Sequence, residues 1–147
     1  MNEIGNSELV TQVFGGWPGF HDAEVVSVLM ERRGIKGPSL TARIYAFDAS
    51  GETDATGCYI LKNKVLVTLR FDGLVLEQLQ EFGHQNVLFH LHIRDIADEP
   101  LSVTQYRNEY LVGTRFRVDL ETSGGLHGSF GCKNITVVSV EPWEGDQ

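Results

Sequence analysis

Hydrophobic residues near the start of the chain follow the spacing of a helix. Four of them fall on one face at helical intervals: Leu9, Val10, Val13 and Phe14. Asn6 or Ser7 can cap the first turn, because a side-chain oxygen there accepts a hydrogen bond from a free backbone amide. Residues 15–19 contain Pro18, whose ring does not allow a helix to continue. The pattern predicts one short N-terminal helix.

From Glu24 onward the hydrophobic period is two residues, which is typical of strands with one buried face. The residues expected on the inner face are, strand by strand, Val26, Val28 and Met30; Leu40, Ala42, Ile44 and Ala46; Val65, Val67, Leu69 and Phe71; Val87, Phe89, Leu91 and Ile93; Tyr110, Val112, Thr114, Phe116, Val118 and Leu120; and Leu126, Phe130 and Cys132. A last strand is expected over residues 135–141.

Glycine, proline and polar residues separate these strands. We expect a turn at residues 34–38, a polar acidic loop at residues 48–57, and a tight hairpin turn at Asp72 and Gly73. Residues 74–82 fit either a helical turn or a strand, and we assign a strand. Residues 123–125 and Asn134 mark the last two turns.

The order of these elements predicts an α+β fold that is mainly β. We expect an antiparallel sheet of about eight strands folded over on itself, as a sandwich or a partly open barrel, with one short N-terminal helix. Strands and helices do not alternate, which argues against a parallel nucleotide-binding sheet. We expect a single domain over residues 1–147, with an ordered core at about 7–142.

The charge of the 147-residue chain indicates which classes of partner it attracts and which it repels. Its 20 acidic and 12 basic side chains give a formal net charge of −8. Such a surface repels nucleic acid and anionic lipid and attracts basic proteins. No apolar run is long enough to span a bilayer, and the N-terminal residues are acidic where a secretory signal would be basic. We therefore expect a cytoplasmic protein, monomeric or weakly dimeric.

The two cysteines, Cys58 and Cys132, do not form a disulfide framework or a C-x-x-C pair. Cys132 shares its parity with Leu126 and Phe130, so a reduced, buried thiol is the expected state.

Residues 20–24, Phe-His-Asp-Ala-Glu, form the most distinctive cluster. His21, Asp22 and Glu24 can serve acid–base chemistry or bind a metal, with His90 and His92 as further ligands from one strand face. The structural interpretation is a corner leading into the first strand. In that case Asp22 caps backbone amides, His21 bonds to a neighbouring strand, and Trp17 and Phe20 anchor the corner in the core.

Motifs for other chemistries are not found in the sequence. Residues 128–131, Gly-Ser-Phe-Gly, lack the spacing of a nucleophile elbow, and no phosphate-binding glycine loop is present. Arg115 and Arg117 share a strand face with Asp119 and Glu121, which indicates a solvated charge ladder. We assign no catalytic residue, metal or cofactor.

Four segments occur in the order of one known family. They are residues 20–24, 67–73 (Val-Thr-Leu-Arg-Phe-Asp-Gly), 82–87 (Phe-Gly-His-Gln-Asn-Val), and 130–132 leading into 137–142. From about Trp17 to Pro142 the chain resembles the Immunity protein 50 family of bacterial polymorphic toxin systems. The signature positions, which can equally be fold determinants, are Trp17, Phe20, His21, Asp22, Glu24, Arg70, Phe71, Asn86, Phe130 and Cys132.

The resemblance implies a non-catalytic antidote that binds and neutralises a cognate toxin domain. The acidic charge favours a basic toxin, for instance a nuclease. The candidate contact residues are Asp48, Glu52, Asp54, Asp95, Asp98 and Glu99, which otherwise belong to solvated loops. Two alternatives stay open: a small metal-dependent enzyme or metal-binding protein using His21, Asp22 and Glu24, and an oligomeric module that pairs through an exposed strand edge.

Overall fold

The strands follow the chain in the order that the alternation predicts. The computed structural model describes residues 3–34, 36–96 and 114–144. Its elements are α1 (Glu8–Phe14), β1 (Glu24–Gly34), β2 (Gly37–Thr53), β3 (Tyr59–Asp72), β4 (Val75–Gln80), β5 (Val87–Asp95), β6 (Phe116–Gly124), β7 (His127–Cys132) and β8 (Asn134–Pro142). Asp98, Glu99, Tyr110 and Val112 lie outside the described residues.

The predicted N-terminal helix is confirmed as α1. Ser7 occupies the capping position, although its side chain makes no capping hydrogen bond. Gly15 ends the helix in the left-handed conformation, with φ of 77°, and its amide donates to the carbonyl of Thr11. Val10 is fully buried, whereas Leu9 is 38% exposed. The four hydrophobic residues of the predicted face are therefore not equally buried.

All eight strands belong to one antiparallel sheet that is not closed, in the order β4-β7-β6-β5-β1-β2-β3-β8. The pairs β3–β8 and β4–β7 form one bent ribbon, because β4 follows β3 and β8 follows β7 along the chain. At the opposite corner, a single residue pair, Glu24 with Val87, joins β1 to β5. The predicted fold class, a mainly β antiparallel sheet folded over on itself, is confirmed.

Asp72 and Gly73 form the bend of this ribbon. The predicted tight hairpin turn is wrong, because β3 pairs with β2 and β8 while β4 pairs with β7. Gly73 adopts φ of 69°, and a Cβ there would lie 2.8 Å from Cγ of Lys133. Glycine is therefore required where the ribbon changes direction, and β4 confirms the strand assigned to residues 74–82.

The core lies between the two halves of the folded sheet. Phe71 of β3 and Phe130 of β7 meet there edge to face, with ring centroids 5.0 Å apart. Leu69, Val67 and Val118 beside them are fully buried. Each such side chain contributes roughly 1.5–3 kcal/mol by leaving water, so this contact layer supplies much of the driving force for folding.

Irregular pairing shifts the buried face of two strands. In β1 the pairing with β2 slips between Val25 and Ser27, so Val25 rather than Val26 is buried, at 1% exposure. Farther along the strand, Met30 is 52% exposed. In β5 the pairing with β6 slips on both sides of Leu88, which is fully buried, while Phe89 is 48% exposed. The predictions that Val26, Met30 and Phe89 line the core are wrong. Val26 and Phe89 lie at the bulges, which change the side-chain parity there, whereas Met30 lies opposite the buried Leu40 and is exposed toward the end of β1.

Candidate functional site

Residues 19–23 fill the corner between β2 and β5. The amide of Asp22 donates to the carbonyl of Leu88 at 2.9 Å, and the amide of Leu88 donates to the carbonyl of Ala23 at 2.8 Å. Farther along β5, the amide of Leu91 donates to the carbonyl of Gly19 at 3.1 Å. Backbone hydrogen bonds thus hold residues 19–23 against β5, as they would hold an additional strand.

Two residues of this corner have unusual backbone conformations. Phe20 adopts φ of 59° and Asp22 adopts φ of 65°, a region that side chains other than glycine rarely occupy. Phe20 is nonetheless buried at 3% exposure, and its ring lies 5.8 Å from that of Trp17. Such conformations cost on the order of 1–3 kcal/mol and persist only where the surroundings enforce them. Trp17 and Phe20 anchor the corner, as the structural interpretation predicts.

An open cleft of about 400 Å³ lies against the corner, lined by residues 14–21, Ala23 and residues 46–48. Trp17, Phe20 and Phe47 give it aromatic walls, and Asp48 of β2 brings a carboxylate. Asn63 of β3 holds Asp48: its amide nitrogen lies 3.1 Å from Oδ2 of Asp48 and 3.4 Å from the carbonyl of Val13 in α1. The sequence analysis missed Phe47 and Asn63.

His21, Asp22 and Glu24 do not converge on an enclosed site. Nδ1 of His21 lies 3.2 Å from Oδ2 of Asp22, and both side chains are more than half exposed. The ring of His21 packs edge-on against Phe89. Among the described residues, the Asp22 side chain does not cap a backbone amide, and the His21 side chain does not form the expected hydrogen bond to a neighbouring strand. Glu24 lies opposite Tyr45 in the sheet. The motif is a surface pair beside a packed corner.

His90 and His92 share one face of β5, as their spacing predicts. Their rings stack with centroids 4.6 Å apart, and Nε2 of His92 lies 3.3 Å from Oε1 of Glu121. His90 also packs against the backbone of Gly19, where a Cβ would lie 2.7 Å from the imidazole Cε1. In the described ranges, no three histidine, cysteine, aspartate or glutamate residues are grouped so as to hold a metal ion.

Three of the acidic candidates lie on the hairpin formed by β2 and β3. The expected loop over residues 48–57 is wrong, because β2 continues to Thr53 and only residues 54–58 connect it to β3. Oδ1 of Asp54 accepts from the amides of Thr56 and Cys58 and from the Thr56 hydroxyl. These hydrogen bonds, above all that of the Thr56 side chain, lower the pKa of Asp54 below its usual value.

The register places Asp95 toward the same end of the sheet as this hairpin. β1 runs from Glu24 away from the hairpin, and β5 runs antiparallel to β1 from the Glu24–Val87 pair. Oδ2 of Asp95 lies 3.3 Å from Nη2 of Arg115, so this carboxylate is already partly neutralised. Asp98 and Glu99 lie outside the described residues.

The remaining signature positions serve packing in the structure. The Asn86 side chain is enclosed by backbone groups of three segments. Nε of Arg70 lies 3.1 Å from Oδ2 of the buried Asp72. Cys132 is fully buried, and its burial, with a smaller contribution from Asp72, raises the pKa of the thiol to about 12. Cys58 is an exposed free thiol.

Helix length and comparisons with known proteins bear on the class of this protein. Within the described part of the chain no helix is long and apolar enough to cross a membrane. No curated protein and no solved structure matches the chain. The family model described as Immunity protein 50 matches residues 6–143, nearly the whole sequence. The chain therefore belongs to the Immunity protein 50 family.

Proposed function

We propose that this protein is a non-catalytic antidote that binds a cognate bacterial toxin domain and blocks its activity in the cytoplasm of the producing cell. The family match over residues 6–143 is the observation that carries this proposal. Immunity proteins act on toxins, and the match includes every element of the sheet up to β8.

The surface chemistry agrees with binding rather than catalysis. The His21–Asp22 pair is open to solvent, and its neighbours are Phe89 and backbone groups rather than a converging set of acids and bases. Catalytic groups are usually positioned by buried partners that shift their protonation, and this pair has no such enclosure. A role in contact with another protein asks only for defined shape and charge.

The proposed contact surface is the end of the sheet with the β2–β3 hairpin. Asp48, Glu52 and Asp54 belong to this hairpin, and Asp95 lies toward the same end. Asp98 and Glu99 follow Asp95 along the chain and extend the proposal. Carboxylates grouped on one side would steer a basic toxin to this end and raise its association rate.

We propose that the antidote acts as a monomer. One outer strand of the sheet that the described residues form, β8, is partly covered by the N-terminal segment: the amide of Gly5 donates to the carbonyl of Ile135, and the carbonyl of Gly5 accepts from the amide of Val137. The other, β4, has six residues and carries Glu77, whose carboxylate forms a two-point pair with Arg117 at 2.7 and 2.9 Å. Short, charged or covered edges disfavour open-ended strand pairing.

The test is rescue of cells that express the toxin domain encoded beside this gene. Co-expression of the wild-type protein should restore growth, and the two proteins should co-purify. Reversal of Asp48, Glu52 and Asp54 to lysine should abolish rescue, whereas Asp95→Lys should have a smaller effect because Arg115 already offsets that charge. Growth arrest despite a folded, abundant wild-type protein would refute the proposed function.

A further inference from the structure

We propose that the cleft beside the Trp17–Phe20 corner is the anchor pocket of the antidote, and that it receives an arginine or lysine side chain of the toxin. This inference rests on the proposed function and adds where the decisive contact lies and what chemistry fills it. Aromatic walls and a positioned carboxylate occur together in this cleft.

The cleft has room for one long side chain. Its volume of about 400 Å³ is open on one side, so a partner residue can enter without rearrangement of the sheet. Binding energy at protein interfaces concentrates in a few such pockets, and arginine is among the residues that most often fill them.

Its walls suit a cation. Trp17 is half-buried and its ring is fixed against Phe20 at 5.8 Å, while Phe47 is tilted against Tyr45 at 5.5 Å on the β2 side. A guanidinium or ammonium group gains electrostatic attraction over an aromatic face, and most from tryptophan. The methylene stem of the same side chain would pack on the apolar walls.

The carboxylate of Asp48 is held ready. Asn63 donates to Oδ2 of Asp48, which leaves Oδ1 without a hydrogen-bond donor from the described residues. Asn63 itself adopts φ of 54°. Among the described residues five other than glycine are left-handed, and three of them (Phe20, Asp22 and Asn63) build or support this cleft. Strain concentrated around one concavity indicates that its shape is enforced.

Charge complementarity favours a basic occupant over an apolar or acidic one. Asp22, Glu52 and Asp54 lie on the adjoining corner and hairpin, and the chain as a whole carries a net charge of −8. Two basic residues lie nearby: the exposed Lys62 is opposite Asp48 in the β2–β3 register, and His21 lines the cleft with its Nδ1 3.2 Å from Oδ2 of Asp22. The four carboxylates of Asp22, Asp48, Glu52 and Asp54 outnumber them.

The test measures affinity for a catalytically inactive form of the adjacent toxin domain by calorimetry. Asp48→Asn keeps the shape of the side chain and removes the charge, and we expect it to weaken binding at least about tenfold, as for loss of a charged pair in an anchor pocket. Trp17→Ala should weaken binding by a similar or larger factor. Because Trp17 packs on Phe20, melting curves must show that this variant is folded, and Asp48→Asn tests the pocket independently.

Two controls match these changes at other places. Glu31→Gln removes one exposed carboxylate at the far end of β1, and Phe82→Ala removes an aromatic ring that is 53% exposed away from the cleft. Both should bind like the wild type. If the wild type binds and Asp48→Asn binds equally well, the anchor pocket is wrong while the proposed function stands. If the wild type itself does not bind, the proposed function fails.

Discussion

Asn86 ties three segments of the chain together from a site that is only 3% exposed. Its amide nitrogen donates to the carbonyls of Val25 and Gly83, and its oxygen accepts from the amides of Gly83 and Leu126. Val25 in β1 and Leu126 in the turn before β7 are far apart in sequence. A single buried side chain thereby fixes the positions of several loops around the corner.

Replacement of Asn86 by alanine should leave several of these backbone groups without partners. Each unpaired buried group costs roughly 1–3 kcal/mol, so we expect the free energy of unfolding to fall by about 2–4 kcal/mol. Urea denaturation followed by circular dichroism would measure it. Gln85→Ala, at the exposed neighbouring position, is the control, and an equal loss in both variants would contradict this role.

The two thiols should differ sharply in reactivity. The pKa of Cys132 is raised to about 12 by burial, so its reactive thiolate is scarce, whereas Cys58 is exposed. We expect a thiol reagent at pH 8 to label one cysteine per folded molecule and two after denaturation. Cys58→Ser should remove the fast reaction, and rapid labelling that persists in this variant would contradict the burial of Cys132.

The same shift predicts the alkaline stability of the protein. An unfolded thiol, with its ordinary pKa of 9.0, ionises before the buried one. The contribution of Cys132 to stability is therefore complete below pH 9 and is lost as the pH rises toward 12. Cys132→Ala should show a shallower decline of unfolding free energy over this range than the wild type, and parallel declines would contradict it.

At the scale of single residues, sequence reasoning reached the buried positions better than the strained ones. Phe71, Phe130 and Cys132 lie in the core because their alternation is regular and uninterrupted. The left-handed conformation of Phe20 has no local signal, and that of Asp22 has only a weak one, since aspartate is enriched in this region among residues other than glycine. They arise because residues 19–23 must meet β5 with their backbone groups, which is a tertiary constraint.

Among the elements, the β2–β3 hairpin has the clearest consequence for function. Asp54 closes its connection by accepting three hydrogen bonds from Thr56 and Cys58. Polar, acidic and glycine-bearing sequence at residues 48–57 predicts a loop, yet β3 offers β2 a long pairing partner and extends it to Thr53. Pairing between strands thus outweighs local propensity here.

Asp54→Ala should loosen this connection without unfolding the sheet. We expect faster hydrogen exchange at the amides of Thr56 and Cys58, because both lose their acceptor, and unchanged exchange in β6. The lowered pKa of Asp54 means that its stabilising effect is present above the unfolded value and is lost as the pH falls through the folded one. Unchanged exchange at both amides would contradict the capping role.

Bulges explain why the faces of β1 and β5 were assigned incorrectly. One extra residue in a strand reverses every side chain beyond it, and the sequence around Val26 and Phe89 has no glycine or proline to announce it. As a result Phe89 is carried outward, where its ring centroid lies 5.2 Å from that of His21. The approximate number of strands and their succession along the chain could be predicted from the sequence, but their order in the sheet and their register could not.

On the scale of the whole molecule, charge is distributed unevenly. Arg32, Arg33 and Lys36 are exposed around the β1–β2 turn, and none has an ion pair within the described ranges. The hairpin at the other end of β2 carries Asp48, Glu52 and Asp54, and its β3 arm carries Lys62 and also Lys64, which pairs with Glu144. A net charge of −8 was evident from composition, but this polarity follows only from the strand register.

Neutralising the acidic end should slow association with a basic toxin. We expect the triple change Asp48→Asn, Glu52→Gln and Asp54→Asn to lower the association rate constant at low salt by about tenfold, with a smaller effect at high salt. Stopped-flow fluorescence would measure it. As a control, neutralising Glu31, Glu81 and Glu121 changes the net charge by the same amount and should lower the association rate constant less. An equal decrease would indicate that net charge alone determines the rate.

The central claim is that the protein neutralises its toxin by occupying it, and a titration of toxin activity tests this most directly. When the concentration of the toxin domain is well above the dissociation constant of the complex, the residual toxin activity should fall linearly and reach zero at one equivalent of antidote. Toxin recovered after denaturation of the complex should have an unchanged mass and regain full activity on refolding. Inactivation by much less than one equivalent, growing with time and leaving a modified toxin, would contradict the account.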